Sequence, residues 1–281
     1  MRKIWLVVAV ALALAIWQIP RGNAADELAT VWFFDVGQGD AALVGTPSGY
    51  QILIDGGPDD SVLHGLGKAM PFGDKTIDAV LLSHQHADHF RGLQYVFERY
   101  KVAALLVSTG EQGSPEYRRL LDTAAGHGTV IKQVSAGANL DIPPAGTAEV
   151  LYPLEPAEGK LKHAHDAMLV AKVTVAGTTV LFSGDAEKVS ENAMVGVGQP
   201  LDSDILKAGH HGSKTSSQPS YLEAVTPQAS IVSVGADNRY RHPSPQAIQA
   251  LQAVGEVYRT DQRGTVTVQI GPTGYRISTE R

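Results

Sequence analysis

Residues 81–90 read LLSHQHADHF: an apolar run delivers His84, His86, Asp88 and His89, three of the chain's 10 histidines and a carboxylate, within six positions. Side chains two apart on an extended segment share a face, so His84 and His86 can grip one divalent cation. Asp88 and His89 fall where the chain turns, at the mouth of a helix expected from Phe90. They can serve a second cation nearby, since the ions of a two-metal site lie roughly 3.5–4 Å apart. Each cation needs three or more protein ligands and an open place for water. Three later segments offer donors at the ends of strands or turns. LKHAHD holds His163 and His165, LFSGD holds Asp185 where it can bridge two ions, and LKAGHHGS holds His210 and His211. On local grounds either member of each histidine pair serves. Two cations in such a site suit hydrolysis, because they bring the pKa of bound water toward about 7 and bind a developing oxyanion. His64, His127 and His242 have weaker local claims, and His127, between two glycines at a helix end, reads as a cap or a surface residue.

The surrounding elements must bring these segments together. VWFFDV (31–36), DAALVG (40–45), YQILID (50–55), DAVLLS (78–83) and VAALLVS (102–108) read as strands, with GQGD (37–40) a tight turn. SPEYRRLLDTAAGHG (114–128) reads as a helix capped by Ser114, opened by Pro115 and stopped at Gly126. AMLVAKVTV (167–175), a turn at Ala176-Gly177 and TTVLFSGD (178–185) form a hairpin. AEKVSENAMVG is helical, SDILKAG (203–209) is a strand leading into His210-His211, and QPSYLEAV is a short helix. ASIVSVG (229–235) is a strand, SPQAIQALQAVG (244–255) a helix, and EVYRT and GTVTVQI strands. Two β-rich halves with helices outside predict a two-sheet sandwich covered by helices, one domain over 26–281.

Residues 1–25 read as a signal peptide or N-terminal anchor: Arg2 and Lys3, an apolar run from Ile4 to Trp17, then small residues at GNAA. The run is shorter than the roughly 20 residues of a comfortable span, which favours cleavage and an exported, periplasmic, cell-surface or secreted chain. Membrane association is expected only through an uncleaved anchor, and no obligate protein partner is implied. The cysteine count of zero excludes disulfides and thiolate ligands. The net charge of −6, more acidic still without Arg2, Lys3 and Arg21, excludes a general nucleic-acid coat. Any contact with nucleic acid must use a local patch and bound cations.

SHQHADH, HDAMLV, FSGD and the later histidine pair, in this order, resemble the metallo-β-lactamase superfamily. FFDVGQGDAALVGTPSGYQILIDGG, LLSHQHADHFRGL, LKAGHHGSKTSS, SVGADNRYRHPSP and YRTDQRGTVTV narrow the resemblance to the C-terminal hydrolase domain of ComEC competence proteins, over about 31–270. The resemblance implies an α+β fold, the αββα four-layer sandwich, and two divalent metal ions, zinc or manganese. Carried over by position, His84, His86 and His165 resemble ligands of one metal. Asp88, His89 and His210 resemble ligands of the other, and Asp185 the bridge. Asp55, in LIDGG, resembles a buried structural aspartate beside the site. The competence branch often has asparagine where this chain has His165, so metal preference need not follow that branch.

The expected activity is an exported phosphodiesterase or nuclease on DNA, working by metal-hydroxide attack on phosphorus. Asp88, His211, Lys214 and His242 are the catalytic candidates: Lys214 as a phosphate contact, His211 or His242 as hydrogen-bond donor or leaving-group acid. Arg239, Arg241 and Arg263 offer a local basic patch. The alternatives are hydrolysis of a β-lactam, a lactone or an envelope phosphocholine ester, and a metal-binding module without turnover.

Overall fold

Strand β4 (Thr76–Leu82) shows how the chain builds its layers. Along it Ala79 and Leu81 point to one side and Val80 and Leu82 to the other, and all are buried. A strand that is apolar on both faces belongs inside a covered sheet. In the computed structural model, which describes residues 28–109, 114–156 and 167–281, that is where it lies.

The first sheet runs β15 (Gly274–Thr279), β14 (Val266–Gly271), β1 (Ala29–Phe33), β2 (Ala42–Gly45), β3 (Gln51–Ile54), β4, β5 (Lys101–Ser108), β6 (Val130–Val134). The second runs β13 (Glu256–Arg259), β12 (Ala229–Val232), β11 (Ile205–Lys207), β10 (Thr178–Phe182), β9 (Val170–Val175), β8 (Gly146–Tyr152), β7 (Asn139–Ile142). Strands β3 to β6 are mutually parallel, as are β10 to β13. The two sheets meet face to face over Val31, Phe33, Val44, Ile54, Leu81, Val173, Val180, Phe182, Ile205 and Ile231. Phe33 and Phe182 stack across the seam at 5.6 Å.

Helices cover the outer faces. Helices α1 (Ser61–Ala69), α2 (Ala87–Arg99) and α3 (Pro115–Gly126) press Leu66, Leu93, Val96, Phe97 and Leu120 onto the first sheet. Helices α4 (Lys188–Gly196), α5 (Pro219–Val225) and α6 (Pro245–Gln252) press Met194, Tyr221, Leu222 and Leu251 onto the second. A single helical turn, α7 (Thr260–Arg263), joins β13 to β14. The expected αββα sandwich is thus the observed architecture.

Local expectations meet the structure unevenly. Ser114 caps α3 from Tyr117 N–H, Pro115 opens it, and Ser244 caps α6 from Ala247 N–H at 3.1 Å. Ala176 and Gly177 both take positive φ, as the tight hairpin turn requires. Helix α2, however, starts at Ala87 rather than Phe90. Asp88 and His89 therefore sit in its first turn. Gly92 lets the helix pack against the turn after β3: a β-carbon there would lie 1.9 Å from the Gly56 carbonyl oxygen. Gly39, at φ +148°, does the same for GQGD, where a β-carbon would meet the Asp88 carbonyl oxygen at 2.3 Å. Residues 1–25, His163 and His165 lie outside the described residues. Among the described residues no helix is long and apolar enough to cross a membrane.

Candidate metal centre

The donors gather at the C-terminal ends of the parallel strands, where crevices in α/β sheets open. The end of β3 gives Asp55, β4 gives Ser83 and His84, and α2 opens with Asp88 and His89. From the second sheet, β10 leads to Asp185 and β11 to His210 and His211.

Asp185 is the hub. Its Oδ1 faces Nε2 of His89 at 3.3 Å and of His211 at 3.5 Å. Its Oδ2 faces Nε2 of His84 at 3.6 Å and of His210 at 3.7 Å. Each imidazole is held from behind through Nδ1. His89 donates to Asp55 Oδ2 at 2.8 Å, His211 to the Ser233 carbonyl at 2.9 Å, and His210 to Glu187 Oε1 at 2.9 Å. Ser83 donates its hydroxyl to Asp55 at 2.7 Å and accepts from His84 Nδ1 at 3.0 Å. These partners hold Nδ1 of all four rings and leave each Nε2 turned toward Asp185, the outer-shell arrangement that orients metal-binding histidines. Asp55 reaches its position with φ +57°, a conformation aspartate tolerates.

The donor set fits divalent cations. Nε2 of His89, Nε2 of His211 and Oδ1 of Asp40 are buried without hydrogen bonds, an arrangement that is costly unless an ion satisfies them. His84, His89 and Asp185 bring one donor atom each within 4.8 Å of one another, as do Asp88, His89 and His211. His86 is exposed, with its ring 4.6 Å from that of His84, and it faces the cavity over the centre.

The electrostatics run the same way. Burial would raise the Asp88 carboxyl, but His211 and His89 hold it down to about 2. Burial also opposes ionisation of Asp185, yet His211 and His89 keep it well below the usual carboxylate range. Burial would lower His211, but Asp185 and Asp40 lift it to about 9, and Asp185 and Asp55 likewise raise His89. Protons on these rings stand where cations would, so cation uptake must release them.

The paired histidines are distributed differently from the positional expectation. His211, not His210, stands with Asp88 and His89, with its Nε2 3.3 Å from Asp88 Oδ2. His210 faces the Asp185 oxygen that His84 also faces. Both residues take positive φ, 45° and 51°, inside a short 3-10 turn. That twist sends neighbouring side chains to opposite sides of Asp185. Lys214 and Arg263 are exposed and are not among the residues lining the cavity. His242 lines it, with its ring 5.3 Å from His210, and burial together with His210 and His211 lowers its pKa. His64 and His127 are exposed on or beside helices.

Two residues escaped the sequence reading. Lys207, 3% exposed, pairs with Asp40 Oδ2 and donates to the Gly184 carbonyl at 3.0 Å. Asp40 Oδ1 in turn lies 3.3 Å from His211 Nδ1. GQGD and LKAGHH each carry a charged residue next to apolar strand residues, which was the available signal.

Glu191, fully buried on α4, braces the segment after the histidine pair. It accepts from Ser217 N–H at 2.7 Å and Gln218 N–H at 2.9 Å. Burial, partly offset by these bonds, pushes its carboxyl from 4.5 to about 7. Between those values the folded chain keeps a proton that the unfolded chain loses, so stability falls as pH rises through the window. The full fall is about 3 kcal/mol. Glu191→Gln should flatten it, as denaturant titrations of both proteins at pH 5 and pH 8 would show; parallel pH dependences would refute this.

A two-sheet sandwich with paired imidazole and carboxylate sets at one rim defines a metal-dependent hydrolase in coarse class. Residues 34–236 match the Metallo-beta-lactamase superfamily, and the chain belongs to that family. It is 32% identical over 250 residues to ComE operon protein 3 of Bacillus subtilis, covering 83% of this chain and 32% of that protein. It is 29% identical over 263 residues to Competence protein ComA of Neisseria gonorrhoeae, covering 92% and 34%. The chain thus spans about a third of the length of these relatives. Among solved structures, the metallo-β-lactamase-fold protein YhfI of Bacillus subtilis superposes with a TM-score of 0.56 at 15% identity, covering 83% of this chain and 96% of that one.

Proposed function

We propose that this chain is an exported phosphodiesterase acting on DNA, with two divalent cations, zinc or manganese, held by His84, His86, His210 and Asp185 on one side and Asp88, His89, His211 and Asp185 on the other. The observation that carries it is Asp185, whose two oxygens each face a separate pair of imidazoles beside an open cavity of about 300 Å³. Similarity to a relative named Competence protein ComA supports a nucleic-acid substrate over a β-lactam, lactone or phosphocholine ester. Bound cations would supply an activated water and neutralise charge on phosphoryl oxygens. The chain's own residues do the rest. Asp88, ionised and half-buried at the cavity floor, orients the attacking water. His242, its proton affinity lowered, presents a neutral ring to a phosphoryl oxygen from the cavity wall. Asp55, Ser83 and Ser233 fix the rings from behind, so no reorganisation is needed at the moment of reaction.

The test loads the purified protein with manganese or zinc and offers end-labelled single- and double-stranded DNA. Cleavage should vanish with a chelator and fall about 10²–10³-fold in Asp88→Asn. Inert DNA with both metals, while a β-lactam or phosphocholine ester is turned over, would sink the nuclease reading and leave the hydrolase.

A further inference from the structure

The loop 236–243 closes one side of the cavity, and it is built rather than loose. Asn238 fills both ends of its amide. Its Oδ1 accepts from Tyr240 N–H and His242 N–H, both at 3.1 Å, and its Nδ2 donates to the carbonyls of Gly235 at 2.9 Å and His242 at 2.6 Å. Asp237 and Arg241 take positive φ, which bends the loop around that side chain. The product is a fixed Tyr240, 50% exposed, on the cavity wall shared with Asp88, Asp185 and His211.

Single exposed aromatics are ordinary on a surface. This one is held in line with the centre. The His210 ring lies 5.3 Å from that of His242, and the His242 ring lies 5.9 Å from that of Tyr240 at an interplanar angle of 26°. Two ring-to-ring steps therefore lead from His210, at the edge of Asp185, to Tyr240. Arg239 completes the arrangement. Its guanidinium carbon stands 4.9 Å from the Tyr240 centroid, and its Nη2 donates to the Tyr240 hydroxyl at 2.7 Å. Arg239 is exposed, so a flat ring displaces it from the tyrosine face at little cost and keeps a cation for the neighbouring phosphate.

We propose that Tyr240, with Arg239, forms a nucleobase-stacking subsite that seats the base adjoining the scissile phosphodiester. The inference rests on the phosphodiesterase reading and deepens it. The chemistry selects among anionic esters. A quaternary ammonium would also favour an aromatic face, but the Arg239 charge on the same ring repels it. A flat, uncharged base is attracted by both groups. Because every base has a π-face, the subsite tolerates any sequence and discriminates against a backbone without bases.

The test compares an oligodeoxynucleotide with an abasic oligomer of equal length, using the metal-loaded protein. The wild type should favour the base-bearing oligomer by about tenfold in kcat/KM, carried in KM. That preference should collapse in Tyr240→Ala and return in Tyr240→Trp. Independently, 2-aminopurine fluorescence in an oligomer bound to the slow Asp88→Asn protein should be quenched, and the quenching should disappear when Tyr240→Ala is added. A wild type that cleaves both oligomers equally overturns the subsite and leaves the phosphodiesterase standing, as does quenching that survives Tyr240→Ala. A wild type that cleaves neither with either metal, and quenches nothing, overturns both.

Discussion

Asp185→Asn should lower metal-dependent turnover about 10³-fold or more and break up the proposed pair of cations, leaving one or none on dialysis. The size follows from the several kcal/mol that a correctly held pair of ions contributes to a charged transition state. The reason is local. Among the described residues Asp185 is the one carboxylate that faces His84, His89, His210 and His211 together. Asparagine keeps the shape but offers one neutral oxygen, so one pair of imidazoles loses its partner. His211→Ala should empty the side shared with Asp88 and His89, whereas His210→Ala should weaken the side shared with His84. Metal analysis after dialysis separates these outcomes. A variant at 185 that still holds two cations would remove the bridge from the account.

Lys207→Met should cost about 3–5 kcal/mol of stability, because it strands the Asp40 carboxylate in a buried site. For a chain of this size that corresponds to a fall in Tm of roughly 10 °C. Burial resists ionisation of Asp40, and Lys207 and then His211 overcome it. Adding Asp40→Asn should recover part of the loss, since the remaining pair is neutral and of similar shape. Thermal denaturation of the three variants would decide the matter. A single variant as stable as the wild type would mean that the pair contributes nothing.

What the sequence made legible were features whose cause is local. The spacing of His84, His86, Asp88 and His89 after an apolar strand, the Ser114-Pro115 and Ser244-Pro245 helix starts, and the Ala176-Gly177 turn depend on neighbours a few residues away. Strands β6 and β7 escaped notice because they are sheet edges, mostly exposed, and show no apolar alternation. Helix α1 escaped because SVLHGLGKA carries two glycines and no capping side chain. The Asp40–Lys207 pair joins residues 167 positions apart across two sheets, and no local pattern announces it. The division of labour between His210 and His211 depends on two left-handed backbone conformations that non-glycine residues rarely adopt.

Strand β1 pairs on one side with β2 and on the other with β14, from the far end of the chain. Val266, Val268 and Ile270 of β14 lie in the same buried seam as Val31 and Phe33. During synthesis the first half of the chain therefore emerges with an uncovered apolar face, which the second sheet closes, and with an open β1 edge that must wait for residues 266–270. The histidine cluster is made early, and Asp185 and the 210–211 pair arrive much later. A ribosome-bound first half holds half a cation site on an unfinished sheet, so metal loading belongs to the finished molecule and not to the growing chain.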